Sequence, residues 1–198
     1  ALPISGVPIN GMENGKVYWS NWSGLSDVSQ FIQVQRGLGA SALGISSVGG
    51  TMNMVTKSTE AQKGGSAYFG IGNDGFRKYS VSFSTGLMDN GWAITFMGSL
   101  NTGDGYVKGT NYEGWTYFGN ISKVINDHHK LSLTAFGAPQ WHNQRSTMHY
   151  IEDYKNSPDG GRFNNGYGYI NGEAVGSGYG YNYYHKPQVS LNHYWTID

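Results

Sequence analysis

The side chains able to perform acid–base, nucleophilic or metal chemistry are sparse in this sequence. Its 198 residues include no cysteine, which excludes disulfides and thiolate metal sites. The acidic residues Glu152, Asp153 and Asp159 lie in a polar segment, and no motif pairs a nucleophile with a base. We therefore predict that the protein is not an enzyme, and we expect no catalytic residue, no cofactor and no metal site.

The histidines could hold a metal ion only if the fold brought them together. His128 and His129 are adjacent, and neighbouring side chains on an extended backbone point to opposite sides, which makes a poor chelate. The sequence favours solvated turn residues at these two positions. The remaining histidines are scattered without the spacing of a ligand set: His142, His149, His185 and His193.

A glycine-rich run at residues 36–44, RGLGASALG, follows a predicted strand and resembles a phosphate loop at first sight. Its spacing misses G-x-G-x-x-G, and no strand–helix–strand pattern surrounds it, so we predict that its glycines permit close packing instead. The formal net charge is zero and no basic stripe is present, so we expect no nucleic-acid partner.

The aromatic side chains are the best candidates for ligand contact. Tyrosine and tryptophan offer a large rigid face with a polar tip, which suits sugars, aromatic chelates or peptides. The alternatives are loop packing and a girdle at a membrane interface, and we favour the girdle for Tyr183, Tyr184 and Trp195, near predicted strand ends. The candidate ligand-binding residues are Tyr18, Trp19 and Trp22 in a first loop, and Tyr167, Tyr169, Tyr179 and Tyr181 in a long glycine–tyrosine segment.

The elements that would position these residues are strands. After residue 63, apolar and polar residues alternate with a period of two in six segments, with Met97 as an exception on the polar side. The connections at residues 88–91 and 126–129 are short, whereas the third and fifth are long; the first connection is short as well. Only 13% of residues are charged, against roughly 25% in typical domains.

These features are typical of a transmembrane β-barrel, with apolar side chains facing lipid and Ser, Thr, Asn and Gly facing the lumen. No run of about 18 apolar residues predicts a membrane-spanning helix. A soluble β-sandwich also alternates and remains an alternative. The barrel prediction requires that Phe69, Phe83, Ile94 and Leu133 do not share an interior.

One stretch carries a family resemblance. Residues 34–57 have the pattern V-Q-R-G-x-G-x-S-x-x-G-x-x-S-x-G-G-T-x-N-x-V-T-K. This pattern resembles the end of the plug domain of a TonB-dependent outer-membrane receptor. Upstream, residues 4–9 and 25–28 lie where that family has its "DGVP" strand and a short helix.

The resemblance implies a mostly β fold. A plug domain, a small mixed sheet with a short helix, would occupy residues 1–60. The first six antiparallel strands of a transmembrane β-barrel of about 22 strands would occupy residues 61–198. We therefore expect a piece of a longer receptor, with a TonB-binding segment before Ala1 and further strands after Asp198. The family's plug–barrel contacts would map onto Arg36, facing barrel carboxylates, and onto Gly37, Gly49, Gly50 and Asn53.

The resemblance also implies a function: active uptake of a scarce solute across the bacterial outer membrane. The implied partners are the TonB complex, outer-membrane lipid, an unknown small solute, glycan or peptide, and optionally a surface lipoprotein. Siderophore, haem, cobalamin, glycan and peptide receptors share the plug pattern, so the substrate is left open. The alternatives are a passive porin or surface adhesin, and a soluble β-sandwich binding module.

Overall fold

The computed structural model describes residues 3–22, 24–37, 49–56, 61–145, 148–175 and 181–197. Among them, no helix has the length and apolar character needed to cross a membrane. The chain forms a small plug sheet, which packs against the inner face of a larger antiparallel wall. Each part is built from elements that are consecutive along the chain.

Within the described residues, the plug contains four strands and one short α-helix, with a 3-10 turn at Trp19–Trp22. Its strand order is β2-β1-β4-β3, and β1 pairs with β4 in parallel while the other pairs are antiparallel. The mixed sheet with a short helix confirms the predicted fold class for this part. The elements are β1 (Pro3–Ile4), β2 (Val7–Pro8), α1 (Leu25–Val28), β3 (Ser29–Arg36) and β4 (Gly50–Thr56).

The first strand differs from its prediction. The sequence predicts one strand over residues 1–7 that ends at Pro8, but the structure has a two-residue hairpin in which Pro3 pairs with Pro8. Ser5 and Gly6 make the turn with positive φ angles of 46° and 85°, which glycine adopts without strain. The Ser5 hydroxyl lies 2.8 Å from that of Thr56, and this contact fixes the turn to β4.

The wall and its loops contain the remaining elements. They are β5 (Gly64–Ile71), β6 (Arg77–Leu87), β7 (Trp92–Gly103), β8 (Tyr112–Val124), β9 (His129–Gly137), β10 (Gln140–His142), α2 (Ile151–Asn156), β11 (Gly168–Ile170), β12 (Glu173–Val175), β13 (Asn182–Tyr184) and β14 (Gln188–Trp195). A 3-10 turn at Gly160–Arg162 follows α2. β11 and β12 form a separate hairpin within the long loop.

The described residues of the wall form six strands, as predicted. Two of these strands are interrupted, and each of the two therefore has two element labels. β9 and β10 pair with β8 in one continuous register, and β13 and β14 continue one another along β10 and β9. The interruptions fall at residues 138–139 and 185–187. Pro139 and Pro187 lie there, and neither has a backbone N–H to donate to a ladder. A proline in a strand pattern predicts that regular pairing weakens at Pro139, and the structure confirms this prediction.

The predicted alternation of faces is also confirmed. The outward rows of the wall are large and apolar, and they remain exposed: Phe69 at 60%, for example, and Leu133 at 44%. Phe83 and Ile94 are exposed on the same face. In a two-sheet sandwich these rows would form the shared core, whereas here the plug packs on the opposite face. The inward rows are polar and buried, and include Ser84, Thr95, Asn120, Ser132 and Thr134.

The connections separate to two ends of the wall. At the short-turn end, residues 88–91 and 125–128 close tight turns, and the Asn126 side-chain oxygen accepts from the backbone N–H of His128 and of His129. At the long-loop end lie residues 104–111 and the described residues 143–145, 148–175 and 181, beside the compact turn at residues 72–76. This distribution agrees with the asymmetry expected of an outer-membrane barrel.

The contact between plug and wall is drier than the sequence suggests. The serine-rich lumen faces predict a hydrated interface, but Met97, Phe118 and Phe136 point inward and are buried. They form one apolar cluster with plug side chains, among them Ile4, Ile9, Trp22, Leu25, Val28 and Met54. Met97, the exception in the polar row, therefore belongs to the apolar cluster on which the plug packs.

Closer to the short-turn end, the inward face carries a buried polar network. The Asn120 amide donates to Ser132 and Thr134, both at 2.8 Å, and the Ser122 hydroxyl donates to the Asn120 oxygen at 2.7 Å. Because buried polar groups are costly when unpaired, this mutual pairing lets the wall keep a polar lumen face without a penalty.

Gly24 offers a test of how closely the plug approaches the wall. It has a φ of 75°, and a Cβ at this position would overlap the Thr116 side chain, with 2.8 Å to its Cβ. Gly24→Ala should therefore destabilise the protein by the cost of a left-handed residue, about 1–2 kcal/mol, and by a further overlap term of roughly 1–3 kcal/mol. The measurement is urea unfolding of the purified protein in detergent.

Gly6→Ala is the matched control. Its φ of 85° is also positive, but a Cβ there meets nothing within 4 Å. Gly6→Ala should lower the free energy of unfolding only by the cost of an alanine in the left-handed conformation, about 1–2 kcal/mol. Equal destabilisation by both substitutions would contradict the tight contact at Thr116.

Candidate functional site

A cavity lies where the first plug loop meets the last wall strand, at the long-loop end. Its volume is about 460 Å³, and its lining includes Tyr18 and Trp22 from the plug together with Tyr184 and Lys186 from the wall. Lys16 and Glu13 complete its charged rim. Aromatic faces and ammonium groups thus converge on one space, which is the arrangement that recognises an anionic ligand with flat rings.

Local hydrogen bonds fix the plug loop that carries Tyr18. Gly11 and Lys16 close a turn with a 2.8 Å backbone hydrogen bond, and the Asn14 amide donates to the Tyr18 hydroxyl at 3.0 Å. The N–H of Asn21 then donates to the Tyr18 carbonyl at 3.0 Å, which starts the 3-10 turn. The short polar residues of this loop therefore hold the Tyr18 ring at the cavity.

The three aromatic residues predicted in this loop have different environments. Trp22 is only 5% exposed and stacks on Phe136 with ring centroids 5.9 Å apart, and the Lys186 ammonium lies 5.8 Å from its ring centre. Tyr18 and Trp19 are 54% and 55% exposed. Trp19 lines a separate depression beside Arg36 and Gly50. Trp22 thus holds the plug on the wall, and a ligand contact for each of the three stays a prediction.

The tyrosines predicted in the long segment lie elsewhere. Tyr167 packs over Gly109 and meets Tyr169 edge to face with centroids 6.0 Å apart. A side-chain hydrogen bond with Tyr169 raises the pKa of Tyr167 above its ordinary value. Tyr181 stacks on Trp141, and Tyr179 lies outside the described residues. The structure therefore does not bring the described tyrosines of this group to the Tyr18 cavity.

Ion pairs hold the long loop across the shorter ones. Lys108 pairs with Asp159, and Arg162 pairs with Asp74 at 2.6 Å. The hydrogen bond that the Lys108 ammonium donates to the Asp159 carboxylate raises the pKa of Lys108 above its ordinary value. The Asn164 amide also donates to the Lys108 carbonyl at 2.7 Å. These contacts tie the long loop to the two shorter connections at residues 72–76 and 104–111.

The predicted plug–barrel contacts at Arg36, Gly37, Gly49, Gly50 and Asn53 stay predictions. Arg36 is exposed at the end of β3 and forms no ion pair with a carboxylate in the part of the chain described above. Gly50 has a φ of 125°, and a Cβ there would overlap the Gln35 carbonyl, so the β3–β4 pairing requires glycine. Asn53 is buried and its amide donates to the Gln33 side chain at 3.1 Å. Gly37 has a φ of 76°, and a Cβ at Gly49 would meet open space.

An ion pair that the sequence analysis missed joins plug to wall. Asp27 of α1 lies 2.6 Å from the Lys78 ammonium of β6, and both side chains are 23% exposed. A cavity of about 360 Å³ beside this pair is lined by Ser82, Ser84 and Thr95. The sequence contains a signal for this pair. Lys78 lies on the inward face of β6 together with three serines, and it is the one charged residue on that face of the strand.

Comparison with known proteins identifies this architecture. No protein-family model matches the sequence, and no curated relative does. The ferripyoverdine receptor of the outer membrane of Pseudomonas aeruginosa matches 72% of the chain with a TM-score of 0.59 at 15% identity. The ferric-catecholate import receptor Fiu of E. coli, in its open form, matches 76% with a TM-score of 0.60 at 18% identity.

The fold is that of the TonB-dependent outer-membrane receptors. The siderophore receptor PiuA from Acinetobacter baumannii has it too, with a TM-score of 0.58 over 76% of the chain at 18% identity. The chain spans about a fifth of the length of these receptors: 19%, 22% and 20% for the three in the order given. At these identities the likeness concerns the fold, and the resemblance implied by residues 34–57 is confirmed at that level.

Truncation of Trp22 tests its assignment as a packing residue. Trp22→Ala should destabilise the receptor by about 3–5 kcal/mol, because a buried ring stacked on Phe136 is lost. Trp19→Ala, at an exposed position of the same loop, should change stability by about 0.5 kcal/mol or less. Urea unfolding in detergent measures both, and an equal effect of the two variants would show that Trp22 does not anchor the plug.

The Asp27–Lys78 pair can be tested by exchanging its charges. Asp27→Lys or Lys78→Asp alone places like charges together, so each should make the plug more sensitive to limited proteolysis. The double exchange should restore most of the protection. A coupling energy of about 1 kcal/mol is expected for a partly exposed pair. Failure of the double exchange to restore protection would mean that the pair does not hold the plug.

Proposed function

We propose that this chain is the plug and first barrel strands of a receptor that actively imports an anionic ferric chelate bearing aromatic rings. The observation that carries the proposal is a plug sheet seated on the polar face of a wall whose other face is apolar and exposed. Such a wall is stable in hydrocarbon, where it presents apolar side chains to lipid and keeps its backbone groups paired. The structural neighbours, receptors for ferripyoverdine and importers of ferric catecholate, support the same class of ligand.

The chemistry of the Tyr18 cavity supports this choice of ligand. Tyr18 and Tyr184 offer ring faces beside the buried Trp22, and the ammonium groups of Lys16 and Lys186 outnumber the single Glu13 carboxylate. A ferric catecholate is flat-ringed and anionic, so stacking and charge act in the same direction. The neutral charge of the whole chain does not oppose this, because recognition depends on the local field.

The contact between plug and wall suits a domain that must be held firmly and then displaced. Its apolar cluster gives stability, while the Asp27–Lys78 pair is partly exposed and can exchange its partner for water at small cost. In the proposed cycle, ligand binds from the long-loop side and the TonB complex pulls on the plug. Displacement then opens a passage along the serine-lined side of β6, where the 360 Å³ cavity lies.

Binding of a ferric tris-catecholate to the full-length receptor tests the ligand class. Lys186→Ala and Tyr18→Ala should each weaken binding about tenfold, the effect expected when about 1.4 kcal/mol of contact is lost. Lys155→Ala, which removes an exposed lysine of α2 outside the cavity, serves as the control and should bind as the wild type does. Tryptophan fluorescence quenching reports binding. If neither cavity variant changes the affinity, the cavity is not the ligand site.

Uptake in cells separates active transport from a passive porin or an adhesin. Collapse of the proton gradient should abolish uptake while surface binding persists. Uptake that continues without the gradient favours the porin, and binding without uptake under either condition favours the adhesin.

A further inference from the structure

The short-turn end of the wall brings together two histidines that are distant in the sequence. His129 begins β9 and His193 lies near the end of β14, and the two strands pair in register from residue 129 to residue 136. His129 lies opposite Trp195, which places His193 diagonally beside it on the same outward face. The Nδ1 of His129 and the Nε2 of His193 are 3.1 Å apart.

That separation is a hydrogen-bond distance between the two ring nitrogens, and it also lies within the range for two ligands to the same metal ion. Imidazole nitrogens at about 2.0–2.1 Å from an ion are roughly 2.8–3.4 Å apart for bond angles of about 90–110°. The site lies at the end of the wall, directly beside the turn at residues 125–128, where His193 is exposed and His129 is half-buried. Water can therefore supply the remaining ligands.

The surrounding structure holds both rings in place. His129 lies between His193 and Trp195, with ring centroids 5.2 Å and 5.9 Å away and stacked planes. The Asn126 side chain holds the turn that precedes His129, and the Thr196 N–H donates to the His128 carbonyl at 2.9 Å, which ties the end of β14 to that turn. A preorganised pair binds an ion without first ordering its side chains.

We propose that His129 and His193 form a two-histidine site for a borderline divalent transition-metal ion, with Cu²⁺ bound more tightly than Zn²⁺ or Ni²⁺. Imidazole is a preferred ligand for these three ions, and the order follows the general affinity series. The ion links β9 to β14 on the outer surface of the wall. It is separate from the Tyr18 cavity, which lies at the opposite end.

His128 takes no part in the site. Its Nδ1 lies 3.3 Å from the Thr196 carbonyl. The chelate is therefore the cross-strand pair of His129 and His193, and not the pair His128–His129 that is adjacent in the sequence. Groups of three or more metal-binding side chains are absent from the described residues, so two protein ligands are what the fold provides.

Titration of the full-length receptor with Cu²⁺, followed by electron paramagnetic resonance, tests the proposal. The wild type should bind one Cu²⁺ with hyperfine splitting from two nitrogens. His129→Gln and His193→Gln should each weaken binding at least tenfold and leave one nitrogen at most. His128→Gln is the matched control and should retain the wild-type affinity and spectrum. Heat-modifiable migration on gels confirms that each variant remains a folded barrel.

Trp195 gives a second readout, because it stacks on His129 and bound Cu²⁺ quenches nearby indole fluorescence. Trp195→Phe should remove most of the quenching while changing the Cu²⁺ affinity less than threefold. The proposal is overturned if the double variant His129→Gln, His193→Gln binds Cu²⁺ as tightly as the wild type. It is equally overturned if His128→Gln abolishes binding and His193→Gln does not, since the adjacent pair would then be the ligand.

Discussion

The two faces of the wall strands must satisfy opposite environments, and this requirement governs the rest of the structure. Successive side chains on a strand point to opposite sides, so each residue is assigned to one face by its position alone. Phe83 and Phe96 can pack on each other across the outward face only because Ser84 and Thr95 are turned inward. A shift of one residue would exchange the two sets and leave serines in hydrocarbon.

The plug is held on the inward face by two interactions with different responses to water. The apolar cluster around Trp22, Phe118 and Phe136 gains stability from the exclusion of water, and it does so in the part of the lumen face where apolar residues replace serine. The Asp27–Lys78 pair and the contact between Asn21 and Gln140 are polar, so water can replace them. An apolar anchor with polar surroundings is stable at rest and does not require every contact to break at once.

The sequence predicted the fold well because the wall depends on a local period and on turn residues. Six strands, their faces and the short turns were all readable from residues 64–197. The small hairpin at Pro3–Pro8 was missed because a left-handed serine, which the Thr56 contact stabilises, is decided by tertiary structure. The same reason applies to Met97, whose partners come from the plug and are more than 40 residues away in the chain.

The candidate site was less predictable than the fold. Trp22 and Trp19 have the same residue type and lie three positions apart, yet one is buried against Phe136 and the other is exposed. Only the docking of the plug distinguishes them. His193 has no partner in its own neighbourhood of the sequence, and its proximity to His129 follows from a strand register that is set 60 residues away.

The two gaps in the wall ladder, at residues 138–139 and 185–187, face each other across neighbouring strands. β9 and β14 therefore pair without interruption below the gaps, while β10 and β13 form a separately paired segment at the rim. The Pro139 carbonyl accepts from the Trp115 N–H of β8 at 2.8 Å, so the attachment of the rim depends on β8 rather than on β9 and β14.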